Sequence, residues 1–468
     1  MNQIYGKPMA AKERKYARIT LKVKDLVQAV NQTMNPGGEI YDWFAGYEDG
    51  KAAVEIRDGK AQIVNPDIFM GGTVDGQHVS NLKVVGYDGR DGGVYCEGSS
   101  TNAVIDHAYI FLEGRGKGLG GPDTGVSARE GATVTIKNAV IDSYGKSRFC
   151  TTAETGSRLY VYDSVLWSHG QPWGEGFEVL AEPMATAPAG LLIEGNSRAH
   201  CTMTNSWSYF YNSKIICDGW GALSTEGAEG FLYLEANDCE IIANRRGYGA
   251  YADPDCHVYF NRCHFDVADM SVILAGKSDA HFSECTCDNG TLFALIHNVN
   301  GKPEEVGELE VDHCKIHAKC EAMLCKSENT EIRLRRSEIV SDSRVLLRTV
   351  VNDDPCATKP SEDPYGIHVH FEEMKLDGDI LHEDTERELF IDFRKTNLTG
   401  RIQGAHISMD EQSFWFADQN SDVILDGALS PEQLDAPEGV EIHMIGAKAE
   451  EYRLFSGGKL IVTDEERR

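Results

Sequence analysis

Val134-Thr-Ile-Lys-Asn-Ala-Val-Ile141 decides the fold, because its pattern keeps returning. Strand-forming residues alternate with polar ones, a small residue closes a turn, and the alternation resumes. The pattern recurs as Leu159-Tyr-Val-Tyr-Asp-Ser-Val-Leu166, Tyr209-Phe-Tyr-Asn-Ser-Lys-Ile-Ile216 and Leu232-Tyr-Leu-Glu-Ala-Asn-Asp-Cys-Glu-Ile-Ile242. Val258-Tyr-Phe-Asn-Arg-Cys-His-Phe265, Leu309-Glu-Val-Asp-His-Cys-Lys-Ile316 and Ile332-Arg-Leu-Arg-Arg-Ser-Glu-Ile339 continue it. The small residues form a column: Ala139, Ser164, Ser213, Cys239, Cys263, Cys285, Cys314 and Ser337. Their spacing of about 22 to 29 residues, with one double step, is a solenoid period. The units alternate with period two, carry Val, Ile, Tyr and Phe, and leave no room for a helix between them. Each unit therefore supplies short strands only, and stacked coils of that kind make a parallel β-helix. The Ser/Cys/Ala column reads as a tight inward corner, where cysteine serves as a packing residue.

The rest of the chain fits that reading. Of 468 residues, 47 are glycine, about 10% against a usual level of about 7%, which coil turns account for. Lys+Arg total 45 and Asp+Glu 74, a formal net charge of −29. A field this negative argues against nucleic acid and anionic membranes as partners. Thirteen scattered cysteines are not a secreted disulfide framework, and no apolar run has signal-peptide or membrane-span length, so a cytoplasmic protein is expected. Residues 1–69 read as an N-terminal cap with a short helix over Asp25–Val30, residues 70–350 as the core, and 351–468 as a β-rich C-terminal extension. Gln171–Gly190 lengthens one coil, and Asn352–Pro364 reads as a surface loop.

On coil period and corner pattern, residues 70 to 425 resemble the right-handed parallel β-helix proteins of the pectate-lyase-like superfamily. The resemblance implies an all-β solenoid and an enzyme acting on carbohydrate. Most members are secreted and act on acidic polysaccharides, from which this acidic chain departs.

A second register collects titratable groups. Gly93-Val-Tyr-Cys-Glu97, Gly125-Val-Ser-Ala-Arg129, Cys150-Thr-Thr-Ala-Glu154, Ala222-Leu-Ser-Thr-Glu226, Gly249-Ala-Tyr-Ala-Asp253 and Ile273-Leu-Ala-Gly-Lys277 align. Their fifth positions read Glu97, Arg129, Glu154, Glu226, Asp253 and Lys277, with Glu194 and Asn196 expected from the lengthened coil. Third and fifth positions point outward. Coils stack about 4.8 Å apart, so Glu226 and Asp253 on adjacent coils would repel by roughly 3 kcal/mol, enough to push one toward a general-acid role. Asp253 and Glu226 are the expected acid and base, assisted by Tyr251 and Lys277. Lys146, Arg148, Glu154, His169, Trp173, Trp220, Ser224 and Tyr248 are the expected substrate contacts, the aromatics as a stacking platform.

The expected function is cofactor-independent acid–base chemistry, of lyase, epimerase or isomerase type, on a carbohydrate or other hydroxylated small molecule. Glycoside hydrolysis, an isomerase or dehydratase with an aromatic-lined pocket, and a non-catalytic glycan-binding or scaffold β-helix are the alternatives. No resident metal is expected, although Glu154, Glu226 and Asp253 are oxygen donors of the kind Ca²⁺ takes. A homo-oligomer is compatible with the sequence. Gly116-Lys-Gly-Leu-Gly-Gly121 contains GxGxxG but is followed by Pro122 and strand pattern, not the helix a dinucleotide site needs. His368-Val-His370 has no third ligand in view, and Ser224-Thr-Glu226 lacks a nucleophile-elbow context.

Overall fold

The computed structural model describes residues 50–114, 116, 121–170, 197–226, 230–299, 301–354, 357–362 and 364–464. It is a right-handed parallel β-helix, the hand that parallel crossovers take. Each coil contributes three strands, and equivalent strands stack into three rows. Row one runs from Lys51–Arg57 through Gly221–Glu226 to Asp379–His382. Row two runs from Asn102–Asp106 through Trp207–Tyr211 to Leu389–Arg394. Row three runs from Tyr109–Glu113 to Glu338–Ser341. A four-stranded parallel sheet follows, from Lys375–Asp377 to Leu434–Asp435. Among the described residues stacking runs from Lys51–Arg57 to Lys459–Thr463.

Alternation along each strand sends every second side chain inward, where residues from successive coils touch. In row two, Ile136, Val161, Phe210, Ala236, Phe260, Phe282, Val311 and Leu334 share one register position and are buried. Phe265 and Phe293 pack against that file, with ring centroids 5.1 to 5.4 Å from Phe260 and Phe282. Because equivalent residues lie above one another, the core is a continuous column.

The corner between rows two and three takes two residues. The first holds left-handed backbone, with φ between 45° and 55° at His107, Asn138, Asp163, Asn212, Asp238, Arg262, Glu284, His313, Arg336, Glu373 and Lys395. The second is the small residue the repeat revealed. Ser164 Oγ accepts the Ala139 N–H at 3.0 Å and donates to the Tyr162 carbonyl at 2.6 Å. Ser213 repeats this toward Ser164 and Tyr211 at 3.1 and 2.8 Å. Cys314 Sγ accepts from the Cys285 N–H at 3.3 Å. Serine and cysteine interchange there because each offers a small donor–acceptor to a backbone the corner would leave unpaired. Among the described residues twelve cysteines are free, and all but Cys320 are buried.

Antiparallel hairpins blunt the ends: Lys51–Arg57 with Lys60–Ile63, Phe69–Asp75 with His78–Gly86, and Glu450–Arg453 with Lys459–Thr463. Among the described residues there is no helix long and apolar enough to cross a membrane. The Asp25–Val30 helix and the Gln171–Gly190 lengthening lie outside the described residues. The Gly-rich Gly116–Gly121 stretch leads into the strand Val126–Arg129 and not into a helix. The surface-loop expectation for Asn352–Pro364 needs correction at its start, since Asn352 and Asp354 are buried.

Candidate functional site

The charged column predicted from the fifth positions exists along the C-terminal edge of row one, with two changes of rung. Arg57, Glu97 and Arg129 are in register on successive coils, and Glu154 follows Ala153 opposite Ala128. Arg57 pairs with Glu97, and Arg129 Nε lies 3.1 Å from Glu154 Oε2. The next rung is Met203, opposite Glu226; Glu194 and Asn196 lie outside the described residues. Register from Ser224–Tyr251 then places Asp253 one coil beyond Glu226. Tyr251 and Ala252 face Ile273 and Leu274, so the following rung is Ala275 and not Lys277. Lys277 sits two residues further, in the turn, with Nζ 3.3 Å from Asp255 Oδ1. Its expected place beside Asp253 is corrected by that slip.

Row one also departs from the open polar face expected of it. Ser127, Thr152 and Ser224 point outward by register yet are buried. Trp220, Tyr248, Met270, Ile273 and Leu295 form a hydrophobic cluster separate from the main core, with Tyr251 against it. Trp220 and Tyr248 are therefore packed and not an open platform. Ser224 Oγ is 2.8 Å from the Tyr248 hydroxyl. Trp173 lies outside the described residues.

Arg198, which the repeat did not single out, organises this edge. Its Nη2 is 3.1 Å from Glu226 Oε2, and its guanidinium lies 5.3 Å from the Phe149 ring and 5.7 Å from the Trp220 ring. Burial is the largest influence and disfavours its charge, but Glu226, Tyr248 and Cys201 together prevail and hold the guanidinium above its ordinary range. Cys201 Sγ lies 4.0 Å from Glu226 Oε2. Glu154 is buried, and burial raises its carboxyl to about 7 against the opposing pull of Arg129. Its Oε1 has no hydrogen-bond partner among the described residues. A carboxyl poised near neutrality can take and return a proton. Met203 separates Glu154 from Glu226, and among the described residues no three His, Cys, Asp or Glu side chains are placed to hold a metal ion.

Two expected substrate contacts have other work. Arg148 is 1% exposed and donates to the carbonyls of Gly114, Asp91, Asp123 and Asp88 at 2.8 to 3.1 Å, stitching the turns of early coils together. That corrects its substrate role, since its donors are spent on backbone. Lys146 is half-buried in the same turn. His169 lies by row three, between Asp142 at 2.7 Å and Asp218 at 3.1 Å, stacked on Tyr144 and Trp167 at 3.7 and 4.3 Å. Burial lowers its pKa, but the two carboxylates prevail and hold it at about 9.

The open platform is instead the outer side of row two. One register position carries Thr135, Tyr160, Tyr209, Glu235, Tyr259, His281 and Glu310 on successive coils. Tyr160 and Tyr209 stack at 4.8 Å, Tyr162 and Tyr211 at 4.9 Å, and Tyr259 and His281 at 4.6 Å. Tyr233 bridges the file, 5.4 Å from both Tyr209 and Tyr259, and its hydroxyl donates to Glu235 at 2.6 Å. These rings are half-exposed. Thr135, Lys137, Tyr160, Tyr162 and Asp163 border a depression of about 450 Å³. Further along, the file turns polar, with His281 on Glu310 at 3.1 Å and His370 between Glu331 and Asp392 at 3.1 and 3.5 Å. The tyrosines of Leu159-Tyr-Val-Tyr162 and Tyr209-Phe-Tyr211 were the available signal, since they occupy the outward phase of the repeat itself.

Geometry and topology together define a right-handed parallel β-helix protein with an aromatic ladder on one face and a charged edge beside it. No family model matches the chain, and no curated protein does. Among solved structures it is similar to the tailspike protein gp49 from Pseudomonas phage LKA1, with 12% identity and a TM-score of 0.24, over 77% of this chain and 51% of that one. The chain thus spans about half the length of that tailspike chain.

Proposed function

We propose that this is a carbohydrate-active β-helix protein, whose oligosaccharide ligand lies along the row-two ladder. The observation that carries the reading is the file of half-exposed rings from Tyr160 to His281, stacked or tilted against one another at about coil spacing. Sugar rings present apolar C–H faces and hydroxyl edges, and a flat ring with a hydroxyl or carboxylate beside it satisfies both. The charged edge of row one borders the same turn, four residues from Glu154 to Arg158 and from Asp253 to His257. In this reading Glu154 transfers a proton at neutral pH, Arg198 pairs with Glu226, and Asp253 and Tyr251 complete the acid–base set. The chemistry is then of lyase, epimerase or isomerase type. The in-register placement of Glu226 and Asp253 favours a second reading, glycoside hydrolysis, for which carboxylates about 5 Å apart imply retention of configuration.

Oligosaccharide binding by calorimetry, with Tyr209→Ala and Tyr233→Ala, tests the ladder. Each loss should weaken binding about tenfold. Unchanged affinity in both variants overturns it. Where turnover is found, Glu154→Gln should keep binding, lower turnover about a hundredfold or more, and abolish a break in the pH profile near 7.

A further inference from the structure

A second depression, of about 410 Å³, lies at the edge of row three and is bordered by Asn244, Asp266, Asp288, Asn289, His317 and Lys319. Asp266, Asp288 and His317 share one register position on three successive coils, which sets them about 5 Å apart. The floor is kept low by Ala268 and Gly290: a Cβ on Gly290 would fall 1.9 Å from the Ala268 carbonyl oxygen. No Phe, Tyr or Trp among the described residues borders it.

The bordering groups differ in how far they are committed. Asn289 is spent, accepting from Ser271 Oγ at 2.6 Å and donating to the His317 carbonyl at 2.8 Å. Asn244 gives its amide N–H to Asp218 at 2.7 Å. His317 holds Asp342 through Nε2 at 3.0 Å and stands 3.8 Å from Asp288 through Nδ1. Asp266 and Lys319 make no side-chain hydrogen bond or ion pair among the described residues. The depression thus presents open acceptors on two neighbouring carboxylates and an open ammonium donor.

We infer that this depression is a second carbohydrate site, separate from the aromatic ladder, for a single neutral or amino-bearing sugar. Paired carboxylate oxygens accept neighbouring hydroxyls, and Lys319 donates to a ring or hydroxyl oxygen. The volume suits one small polar molecule. Two carboxylates against one ammonium disfavour an acidic sugar. The inference stands independently of the ladder, because it uses another face and no residue in common.

Saturation-transfer NMR on the full chain, with glucose, glucosamine and glucuronic acid as probes, tests it. Glucose and glucosamine should receive saturation, and glucuronic acid should bind several-fold more weakly. Asp266→Asn with Asp288→Asn should reduce glucosamine binding about tenfold or more, while Tyr209→Ala leaves it intact. Lys319→Gln should weaken glucose but not glucosamine. Both aspartates are exposed, and a thermal melt of the double variant checks its fold. No saturation of any probe, equal binding of glucuronic acid, or binding that survives the double variant and is lost in Tyr209→Ala overturns the inference.

Discussion

Glu284 holds φ at 55° in a corner where Asn138 and Asn212 do the same work at lower cost. Left-handed backbone crowds the Cβ of an ordinary residue by about 1 kcal/mol, a cost that asparagine softens by local hydrogen bonding. Its neighbour Arg262 is offset by a two-pronged ion pair with Asp238, at 2.7 and 2.8 Å, whereas Glu284 is exposed. Glu284→Asn should therefore raise stability by about 0.5–1 kcal/mol in chemical denaturation; a loss of stability would contradict the strain argument. His169 makes the second residue-scale case. Its folded pKa, about 9, lies above the ordinary imidazole value, so its stabilisation is complete below about pH 6.5 and is lost as pH rises through 9. The pair is partly exposed, which limits the effect to about 1 kcal/mol. Melting curves from pH 6 to 10 should show that decline, and His169→Gln should flatten it.

At the scale of elements, the segment that begins at Asn352 is strapped to row one. Asp354 bonds His297 Nδ1 at 2.9 Å and Lys326, with His297 and Asp354 fully buried at the side chain. Asn352 Nδ2 reaches the Asn298 carbonyl at 3.1 Å, and Thr358 donates its N–H to the same carbonyl at 2.9 Å. Burial raises the Asp354 pKa, but His297 and Lys326 prevail and hold it below the carboxylate range. A depressed pKa gives stability that is present above about pH 4 and lost as pH falls through the folded value. Hydrogen exchange at the Thr358 amide, corrected for intrinsic rate, should accelerate below pH 4. Asp354→Asn should accelerate it at neutral pH and cost about 3 kcal/mol. A polar, proline-bearing sequence reads as an exposed loop because composition cannot show that one aspartate finds a histidine 57 residues away. The strands themselves were legible, because alternation is local and repeats at each coil.

For the whole molecule, stacking places like residues above like, and that holds for charge as well as for phenylalanine. Ion pairs such as Arg129–Glu154 and Arg198–Glu226 interrupt the run of acids, yet the net charge of −29 remains. Self-repulsion of that size should be screened by salt, so the melting temperature should rise between about 20 and 200 mM NaCl. A fall would mean that surface ion pairs outweigh the net field. The same stacking explains how much of the site could be read. Glu97, Arg129, Glu154, Glu226 and Asp253 were found because they recur with the coil. Lys277 was misplaced because a two-residue slip in one turn is silent in a periodic pattern.

The amino-acid sequence by itself determined the coil, its period, the inward corner of Ala, Ser and Cys, and the inward phase of the core, because each depends on neighbours within one unit. Only the tertiary structure decided which outer faces stay open. It buried Ser224, Trp220 and Tyr248, left the row-two tyrosines half-exposed, tied Arg148 to backbone, and set Arg198 on Glu226. Those outcomes depend on contacts between residues tens of positions apart, where side chains of equal polarity meet water in one row and protein in the next.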